Sequence, residues 1–358
     1  MISLKKICSN QSSNIAIKDL EFHNGQYPIF GASGFIKNVD FYKQEKPYIA
    51  VVKDGAGVGR VMKLPAKSSI IGTMQYIIPN DNINISYLAY AMENMNLAKY
   101  YSGATIPHIY FKDYCKETLP DYTIAEQKQI ADTLDKVTVL IYKHKKQLEK
   151  LGELVKARFV EMFGDVTNND KNWHIEPLGN LCDISRGGSP RPIEQYLCGT
   201  IPWIKIGDAT DGDDIYLTKT KEKILEIGIK KSRLVKSGSL IFANCGVSLG
   251  FARIITFDGC IHDGWLSFEN IDENLNKIFL LKSLNCMTEY FRSIAPSGTQ
   301  PNLNTAIMKS YKQIVPPIEL QNQFADFVKQ IEKTKTQVQK SLEQAETLKK
   351  ALMQKYFG

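Results

Sequence analysis

The sequence lacks the features of a secreted, zinc-binding or membrane protein. Its seven cysteines form no C-x-x-C pair, and an odd number of scattered thiols argues against a disulfide framework and against structural zinc. No stretch approaches the roughly 18 apolar residues that a membrane-spanning helix needs, and the start carries no hydrophobic signal segment. We therefore expect a cytoplasmic protein with reduced thiols and no membrane contact.

The sequence also lacks the short motifs of common catalytic sites. It contains no G-x-x-x-x-G-K-[ST], no H-E-x-x-H, no G-x-S-x-G, and neither N-P-P-[YF] nor D-P-P-[YF], the tetrapeptides of amino-group DNA methyltransferases. His262 and Asp263 are an adjacent base and acid, but such a pair without a nucleophile is usually structural. We predict a binding protein that is not an enzyme and holds no cofactor of its own.

One glycine-rich segment could be taken for a nucleotide-binding turn. A strand-like run, "PYIAVV" (Pro47 to Val52), is followed by G-x-G-x-G (Gly55 to Gly59). A phosphate-binding turn must open a helix, whereas Val61 to Pro65 has the pattern of a returning strand. The second half of the chain has the same outline, with "SLIFA" (Ser239 to Ala243), a glycine-containing turn and "ARIITF" (Ala252 to Phe257). We therefore predict a hairpin turn in each half.

The length and charge set broader limits. A chain of 358 residues is too long for one ordinary core and suits two medium domains with connecting elements. The net charge of +7 and the pI near 8.8 are compatible with a polyanionic partner, although many enzymes carry as much. The charge alone does not establish nucleic-acid binding.

The most informative feature is an internal repeat. Gln127 begins a helical run that ends at Phe163-Gly164, and Gln321 begins one that ends at Phe357-Gly358, so that both matches share an offset of 194 residues. The same offset, with one gap, aligns "SGATIPHI" (Ser102 to Ile109) with "SGTQPNL" (Ser297 to Leu303). A shorter and weaker match places the chain start on the segment after residue 174, with Leu4 on Leu178 and Cys8 on Cys182.

Both helical runs carry a heptad pattern in the same phase. The two predicted seams are Ile130, Leu134, Val137, Ile141, His144, Leu148, Leu151, Val155, Arg158 and Met162, and Phe324, Val328, Ile331, Lys335, Val338, Leu342, Ala345, Lys349, Leu352 and Tyr356. A helix of roughly 40 residues is about 60 Å long, which indicates a spacer or an interaction rod. A single stripe favours packing on its own domain, but two stripes in phase favour an intramolecular coiled coil. We expect the polar seam positions to set register or to contact other subunits.

These observations predict an α/β (α+β) protein of two tandem domains, each followed by a long helix. The predicted division is residues 1–122 and 165–317 for the two domains, and residues 123–164 and 318–358 for the two spacer helices. Residues 165–171 ("DVTNNDK") form a polar linker. Repeats of this kind bring both seams together only if the helices pair antiparallel.

The candidate binding residues lie in loops and turns of the two domains. Ser185 to Pro192 combines two arginines with flexible and rigid turn residues, a composition suited to phosphates or guanine edges and also to a solvated loop. The other candidates flank the glycine turns or follow them. The full candidate set for DNA contact is Lys53, Arg60, Gln75, Tyr76, Arg186, Arg191, Asn244, Arg253 and His262.

With the repeat established, the chain resembles the specificity subunit of type I restriction-modification systems. The resemblance covers nearly the whole chain. It rests on the paired loops, the two helices ending in Phe-Gly, and the proline-containing exits "TLPDYTIAEQKQIADTL" (Thr118 to Leu134) and "IVPPIELQNQFADFV" (Ile314 to Val328). It implies two target-recognition domains that each read half of a bipartite site in double-stranded DNA, and antiparallel helices that set the gap. DNA contacts vary most in this family, so the candidate residues rest on loop chemistry alone.

The resemblance also implies the partners. Two modification subunits would dock on the helices and carry S-adenosylmethionine for adenine methylation. Restriction subunits that use ATP with Mg²⁺ would then add translocation and cleavage in defence against phage. The alternatives are the specificity subunit of a related type II-like system with fused methyltransferase and nuclease, a single-chain restriction-modification enzyme, and a coiled-coil scaffold without DNA contact. The missing catalytic motifs argue against the single-chain enzyme.

Overall fold

The computed structural model describes residues 1–103, 107–209, 215–246, 248–296 and 302–358. The chain divides into two compact units, one formed by Met1–Gln147 with Val338–Gly358 and the other by Leu148–Gln337. They are called unit 1 and unit 2 below. Each long helix is divided near its middle between the units, so the four-part division predicted from the sequence, with whole helices separate from the domains, stays a prediction.

Unit 1 is a mixed α/β structure with short strands. Its strands are β1 (Ile2–Ser3), β2 (Cys8–Ser12), β3 (Tyr27–Gly31), β4 (Gly34–Val39), β5 (Tyr48–Val52), β6 (Val61–Leu64), β7 (Ser69–Ile70), β8 (Met74–Pro79) and β9 (Thr118–Leu119). Its helices are α1 (Leu4–Ile7), α2 (Ile85–Asn94), α3 (Phe111–Tyr114) and the first part of α4 (Ile124–Phe163).

The main sheet of unit 1 has the antiparallel order β2-β8-β5-β6. All five residues of β5 are buried, because this strand is central in the sheet and covered on both faces. Such a position requires an uninterrupted apolar run. A smaller sheet has the order β4-β3-β7, and β1 pairs with β9 next to the start of α4. The main core joins the sheet to α2 and to residues of both long helices, among them Ile130, Leu134 and Met353.

Unit 2 repeats this arrangement with more strands. They are β10 (His174–Pro177), β11 (Asp183–Arg186), β12 (Leu197–Ile204), β13 (Tyr216–Leu217), β14 (Glu222–Ile224), β15 (Arg233–Val235), β16 (Leu240–Ala243), β17 (Ala252–Ile255), β18 (Gly259–Ile261), β19 (Trp265–Glu269) and β20 (Lys312–Val315). Its helices are α5 (Leu178–Leu181), α6 (Lys277–Cys286), α7 (Thr288–Ile294), α8 (Thr305–Ser310) and the first part of α9 (Ile318–Phe357).

The main sheet of unit 2 has the order β11-β19-β16-β17-β13, which reproduces the order of unit 1 and adds one strand. The second sheet has the order β14-β12-β18-β15, and β10 pairs with β20 as β1 pairs with β9. The weak match at the two domain starts is confirmed by equivalent roles. Cys8 ends α1 and donates its Sγ–H to the Leu4 carbonyl oxygen at 3.2 Å, while Cys182 ends α5 and donates to the Leu178 carbonyl oxygen at 3.4 Å. Burial raises the pKa of each thiol to about 12.

The long helices form the predicted antiparallel pair. In unit 1 the first part of α4 lies against the last part of α9, where Lys145 Nζ is 3.0 Å from Glu346 Oε1. In unit 2 the last part of α4 lies against the first part of α9, where the Phe159 and Phe324 rings are 5.4 Å apart. All predicted seam positions are buried or half-buried, so the heptad assignment is confirmed.

The two glycine turns are hairpins, as predicted. Strand β5 pairs antiparallel with β6, and β16 pairs antiparallel with β17. Gly59 has a φ of +85°, and a Cβ there would lie 2.4 Å from the backbone nitrogen of Ala98, so this turn needs glycine for its conformation and for close packing. Val247 of the second turn, and residues 104–106 and 297–301 of the two matched loops, lie outside the described residues. Within the described ranges, no helix has the length and apolar character that crossing a bilayer requires.

Candidate nucleic-acid interface

Three of the nine predicted residues come together in unit 2 around one acid, Asp263. Its Oδ1 accepts a hydrogen bond from Ser189 Oγ at 2.7 Å and lies 2.9 Å from His262 Nε2. Arg191 Nη2 is 3.8 Å from Asp263 Oδ2, and Arg186 Nε donates to the Asp263 carbonyl oxygen at 2.9 Å. We call Arg186, Ser189, Arg191, His262 and Asp263 the Asp263 cluster.

The backbone explains why the arginine loop lies on this acid. Strand β11 ends at Arg186, and the next two amides continue onto the neighbouring turn, with Gly187 N donating to Trp265 O at 2.9 Å and Gly188 N donating to Ile261 O at 3.0 Å. A Cβ at Gly187 would lie 2.2 Å from the His262 carbonyl oxygen. Glycine is therefore required for the loop to approach so closely. The loop is fixed at its base, while the Arg191 side chain remains 81% exposed.

The hydrogen bonds around His262 assign its tautomer. Gly264 N can only donate, and it lies 2.9 Å from His262 Nδ1, so Nδ1 carries the lone pair and Nε2 carries the proton that faces Asp263. Burial lowers the pKa of His262, helped by Lys205 and the two arginines and opposed by Asp263. Burial would raise the pKa of Asp263, but the Ser189 hydrogen bond and the nearby positive groups outweigh it, and the net pKa is lowered. The acid is therefore an internal counter-charge for the loop.

Further cations surround the Asp263 cluster and were not among the predicted residues. Arg233 Nε donates to the Arg186 carbonyl oxygen at 3.1 Å. Lys205 Nζ is paired with Glu222 and lies 5.3 Å from the Trp203 ring centroid, and that ring is 5.8 Å from the His262 ring. The segment "KKSRLVK" (Lys230 to Lys236) is visibly basic in the sequence, but only the pairing of β15 with β18 places Arg233 beside the arginine loop. Together these groups make a positively charged face with exposed arginines, which suits phosphates and guanine edges.

The two predicted residues at the glycine turn of unit 1 do not meet in a comparable cluster. Lys53 is paired with its neighbour Asp54 and is mostly covered. Arg60 is exposed, and its Nη1 donates to the Ala32 carbonyl oxygen at 2.8 Å, in the turn between β3 and β4. Arg60 is thus the better placed of the two for a ligand in solution.

Three predicted residues lie in the core, which argues against a DNA contact. Gln75 is 3% exposed and donates to the Tyr114 hydroxyl at 2.6 Å, and the buried Tyr76 hydroxyl accepts from Ile70 N at 3.1 Å. Asn244 is fully buried, and its Nδ2 donates to the Leu303 carbonyl oxygen at 3.2 Å. The sequence predicts that these polar side chains flank or follow turns, but Gln75 and Tyr76 lie within β8, next to the buried strand β5. The interface proposed below omits all three.

Arg253 is half-buried and packs next to the second glycine turn. Its Nη1 donates to the Ala252 carbonyl oxygen at 2.8 Å, its Nη2 donates to the Ala209 carbonyl oxygen at 3.3 Å, and its guanidinium stacks 4.7 Å from the Phe251 ring centroid. These contacts describe a packed side chain, and we give it no place in the interface.

Unit 1 instead exposes apolar side chains that were not among the predicted residues. Phe22 is 87% exposed, Phe35 on β4 is 60% exposed, and Ile17 is 63% exposed. Phe35 lies close to the β3–β4 turn that Arg60 holds through Ala32. An exposed aromatic beside a held arginine differs in chemistry from the charged face of unit 2.

Helix α4 also carries exposed apolar side chains away from its seam. Besides Ile124 at its first turn, these are Val139, Leu140 and Tyr142 in unit 1, with exposed fractions of 49%, 43% and 62%, and Leu154 and Val160 in unit 2. A heptad pattern predicts only which residues lie in the seam, so the exposure of these other apolar residues could be seen only in the structure. Large apolar side chains exposed close together on a helix are typical of protein interfaces.

Comparison with known proteins gives the geometry a context. The family model described as type I restriction modification DNA specificity domain matches residues 1–152 and 170–347. The MjaVIII specificity subunit of a type I restriction enzyme from Methanocaldococcus jannaschii is 24% identical over 349 residues, 90% of this chain and 81% of the relative. The MjaIX specificity subunit from the same organism is 24% identical over 305 residues, covering 78% and 69%. The crystal structure of a type I restriction-modification system S subunit from M. genitalium has a TM-score of 0.69 at 17% identity, over 100% of this chain and 95% of that one.

Proposed function

The chain belongs to the family of type I restriction modification DNA specificity domains, and we propose that its two recognition domains read the two unlike halves of a bipartite DNA site. Recognition domain 1 is residues 1–122, and recognition domain 2 is residues 165–317. In this proposal the chain carries out no chemistry. It selects the sequence at which partner subunits methylate adenine and, where restriction subunits are present, cleave DNA.

One observation carries this proposal. Two domains share the same main-sheet order and the same connection to a long helix of 40 residues, but they differ in the polar and charged groups they expose. Equal frames with unequal surfaces suit a reader of two different half-sites, because base discrimination depends on side chains placed at groove edges. In this proposal the paired long helices set the number of base pairs between the two half-sites.

In recognition domain 2 the proposed DNA-contacting groups are Arg186 and Arg191, supported by Arg233. A guanidinium can pair with a phosphate or bind both acceptors of a guanine edge. The Asp263 carboxylate fixes the loop that carries the two arginines and compensates part of their charge in the absence of DNA. In recognition domain 1 the corresponding groups are Arg60 and the exposed side chains around the β3–β4 turn.

The partners follow from the same arrangement. We propose that the exposed apolar side chains of α4 contribute to docking of two modification subunits, because large apolar side chains are costly to leave in water. S-adenosylmethionine would bind to those subunits, and ATP with Mg²⁺ to restriction subunits. Such a complex would act in the cytoplasm, where DNA is available.

A segment exchange tests the proposal directly. Residues 183–316 would be replaced by the equivalent segment of a relative with a different known site, keeping both helices in register. Methylated adenines would then be mapped in cells that express the hybrid with its modification subunits. We expect one half-site to change and the other to remain, and a change in both halves would contradict the assignment of one domain to one half-site.

A further inference from the structure

Two buried glutamines occupy the same place in the two repeats. Gln127 is the fourth residue of α4 and is 3% exposed, and Gln321 is the fourth residue of α9 and is fully buried. Glutamine carries two donor hydrogens and an acceptor, so its burial is favourable only when partners meet those groups. Both glutamines have such partners, and the partners are equivalent.

In unit 1 Gln127 joins the start of α4 to the start of α2. Its Oε1 accepts the backbone N–H of Asn84 at 2.9 Å, and its Nε2 donates to the Tyr122 carbonyl oxygen at 2.8 Å. Asn84 is the N-cap of α2, and its own side chain accepts from Tyr87 N at 3.0 Å. One amide therefore ties the exit from recognition domain 1, the first turn of α4 and the cap of α2 together.

In unit 2 Gln321 does the same for α9 and α6. Its Oε1 accepts the backbone N–H of Asn276 at 2.8 Å, and its Nε2 donates to the carbonyl oxygens of Pro316 at 2.6 Å and Asn274 at 3.0 Å. Asn276 is the N-cap of α6 and accepts from Ile278 N at 2.9 Å. The same junction is thus built twice in one chain.

The chemistry of the junction requires an amide. A glutamate at neutral pH could accept the asparagine N–H but could not donate to the carbonyl oxygens, and an apolar side chain of the same length could do neither. The exposed Gln129 and Gln323, two residues further along each helix, are related by the same 194-residue offset. They are natural controls, because they share residue type, helix and repeat position while their side chains face solvent.

We propose that Gln127 and Gln321 are positioning residues that fix the angle between each recognition domain and its spacer helix, and thereby sharpen the half-site spacing that the protein accepts. This inference rests on the proposed function. A long helix sets a gap reliably only if each reader is held rigidly on it. The junction lies at the pivot, where the domain's last strand gives way to the first helical turn.

The test uses Gln127→Met and Gln321→Met, with Gln129→Met and Gln323→Met as matched controls. The first measurement is hydrogen exchange of the Asn84 and Asn276 amides in the full chain. Because losing the acceptor leaves a buried N–H without its partner, we expect about tenfold faster exchange in the junction variants and no change in the controls. Unchanged exchange would overturn the inference before any DNA is used.

The second measurement is methylation by the complex reconstituted with its modification subunits. The substrates carry the mapped half-sites at the native spacing and at one base pair more or less. We expect the junction variants to discriminate severalfold less between the native spacing and the two altered spacings, while the controls discriminate as the unaltered protein does. A variant with fast amide exchange and equal loss on all three substrates would show a merely structural role and overturn the inference.

A milder variant guards against loss of folding. Gln127→Asn keeps the amide but is one methylene shorter, so its hydrogen bonds to Asn84 N–H and Tyr122 O are weakened without burying a charge, and we expect an intermediate change in both measurements. If the unaltered complex itself shows no preference for a spacing, the proposed function fails together with the inference. If it does show one and the junction variants keep it in full, only the inference fails.

Discussion

The two units share a frame and differ in what they present to solvent. In both, a central sheet in the same order packs on a helix capped by asparagine, and a buried glutamine joins that helix to a spacer helix. Unit 2 presents arginines held around Asp263, whereas unit 1 presents Arg60, held by the Ala32 carbonyl oxygen, and the exposed aromatic side chains Phe22 and Phe35. Sequence similarity between the repeats is concentrated where the frame requires it. The comparison teaches that the frame is constrained by packing, while the loops are free to differ in chemistry.

The largest expected effect concerns the ends of the two spacer helices. Phe163 is fully buried, with ring centroids 4.6 Å from Phe279 and 5.5 Å from Phe324, whereas the equivalent Phe357 is half-buried, 5.3 Å from Tyr87. We expect Phe163→Ala to lower the free energy of unfolding by about 3–5 kcal/mol and Phe357→Ala by about 1–2 kcal/mol. Urea titrations followed by circular dichroism would measure both. Equal losses would show that the two helix ends are packed alike.

The next effect separates the two proposed DNA surfaces. Removing a good base contact costs about 1–3 kcal/mol, so Arg186→Ala and Arg191→Ala should each weaken binding by about 5- to 150-fold when unit 2's half-site is present. Arg60→Ala should weaken binding only through the other half-site. Fluorescence anisotropy of the reconstituted complex on duplexes with either half-site scrambled would measure this. The exposed Lys309 on α8 supplies a control, and an equal loss for Lys309→Ala would mean that only general charge matters.

A smaller effect is expected at Asp263, the acid before β19 of unit 2, because the segment before the equivalent strand β8 of unit 1 carries no acid. Asp263→Asn removes the negative charge that Arg191 faces and weakens the hold on the arginine loop, while the backbone carbonyl that accepts from Arg186 is kept. We expect affinity for unrelated DNA to rise a few-fold and discrimination between related half-sites to fall a few-fold. Competition binding with unrelated duplex would report both. A variant that binds its own site more tightly without losing discrimination would contradict the positioning role of Asp263.

The smallest effect is a pH dependence confined to unit 2. The pKa of His262 is lowered in the folded protein, so the unfolded chain takes up a proton more readily. This contribution to stability is complete above the ordinary pKa of about 6.5 and is lost as the pH falls from there towards the lower folded value. Trp173, Trp203 and Trp265, the three tryptophans of the sequence, all lie in unit 2, so their fluorescence follows that unit in denaturation. Between pH 7 and pH 5.5 we expect the free energy of unfolding to fall by less than about 1 kcal/mol through His262, and we expect His262→Gln to abolish this fall. An unchanged pH profile in that variant would assign the dependence to another group.

The shared frame of sheet and long helix could be predicted from the sequence, because the heptad periodicity and the internal repeat both follow from it. The heptads located both long helices, and the offset between Gln127 and Gln321 pointed to residues whose equivalence the structure confirms in their hydrogen bonds. The strand–turn–strand reading of the glycine segments was also confirmed, because a proline-terminated returning strand is incompatible with a helix opening at that turn.

The candidate interface was less predictable, because exposure depends on pairing between distant segments. Gln75 follows a turn in the sequence, but it lies in a strand that the core covers. Its burial results from the position of that strand within the sheet, which the local sequence does not show. Arg233 joins the arginine loop only through strand pairing, and the exposed Phe22 and Phe35 have the composition of core residues. Local patterns indicate which residues could bind a ligand. They do not indicate which side of a sheet the rest of the chain will cover.

The most direct test of two readers on one chain is to map methylated adenines in the source genome, with and without this gene. The account predicts a single motif of two unlike parts separated by a fixed number of unspecified base pairs, present with the gene and absent without it. A palindromic or uninterrupted motif, or a motif that persists after deletion, would contradict it.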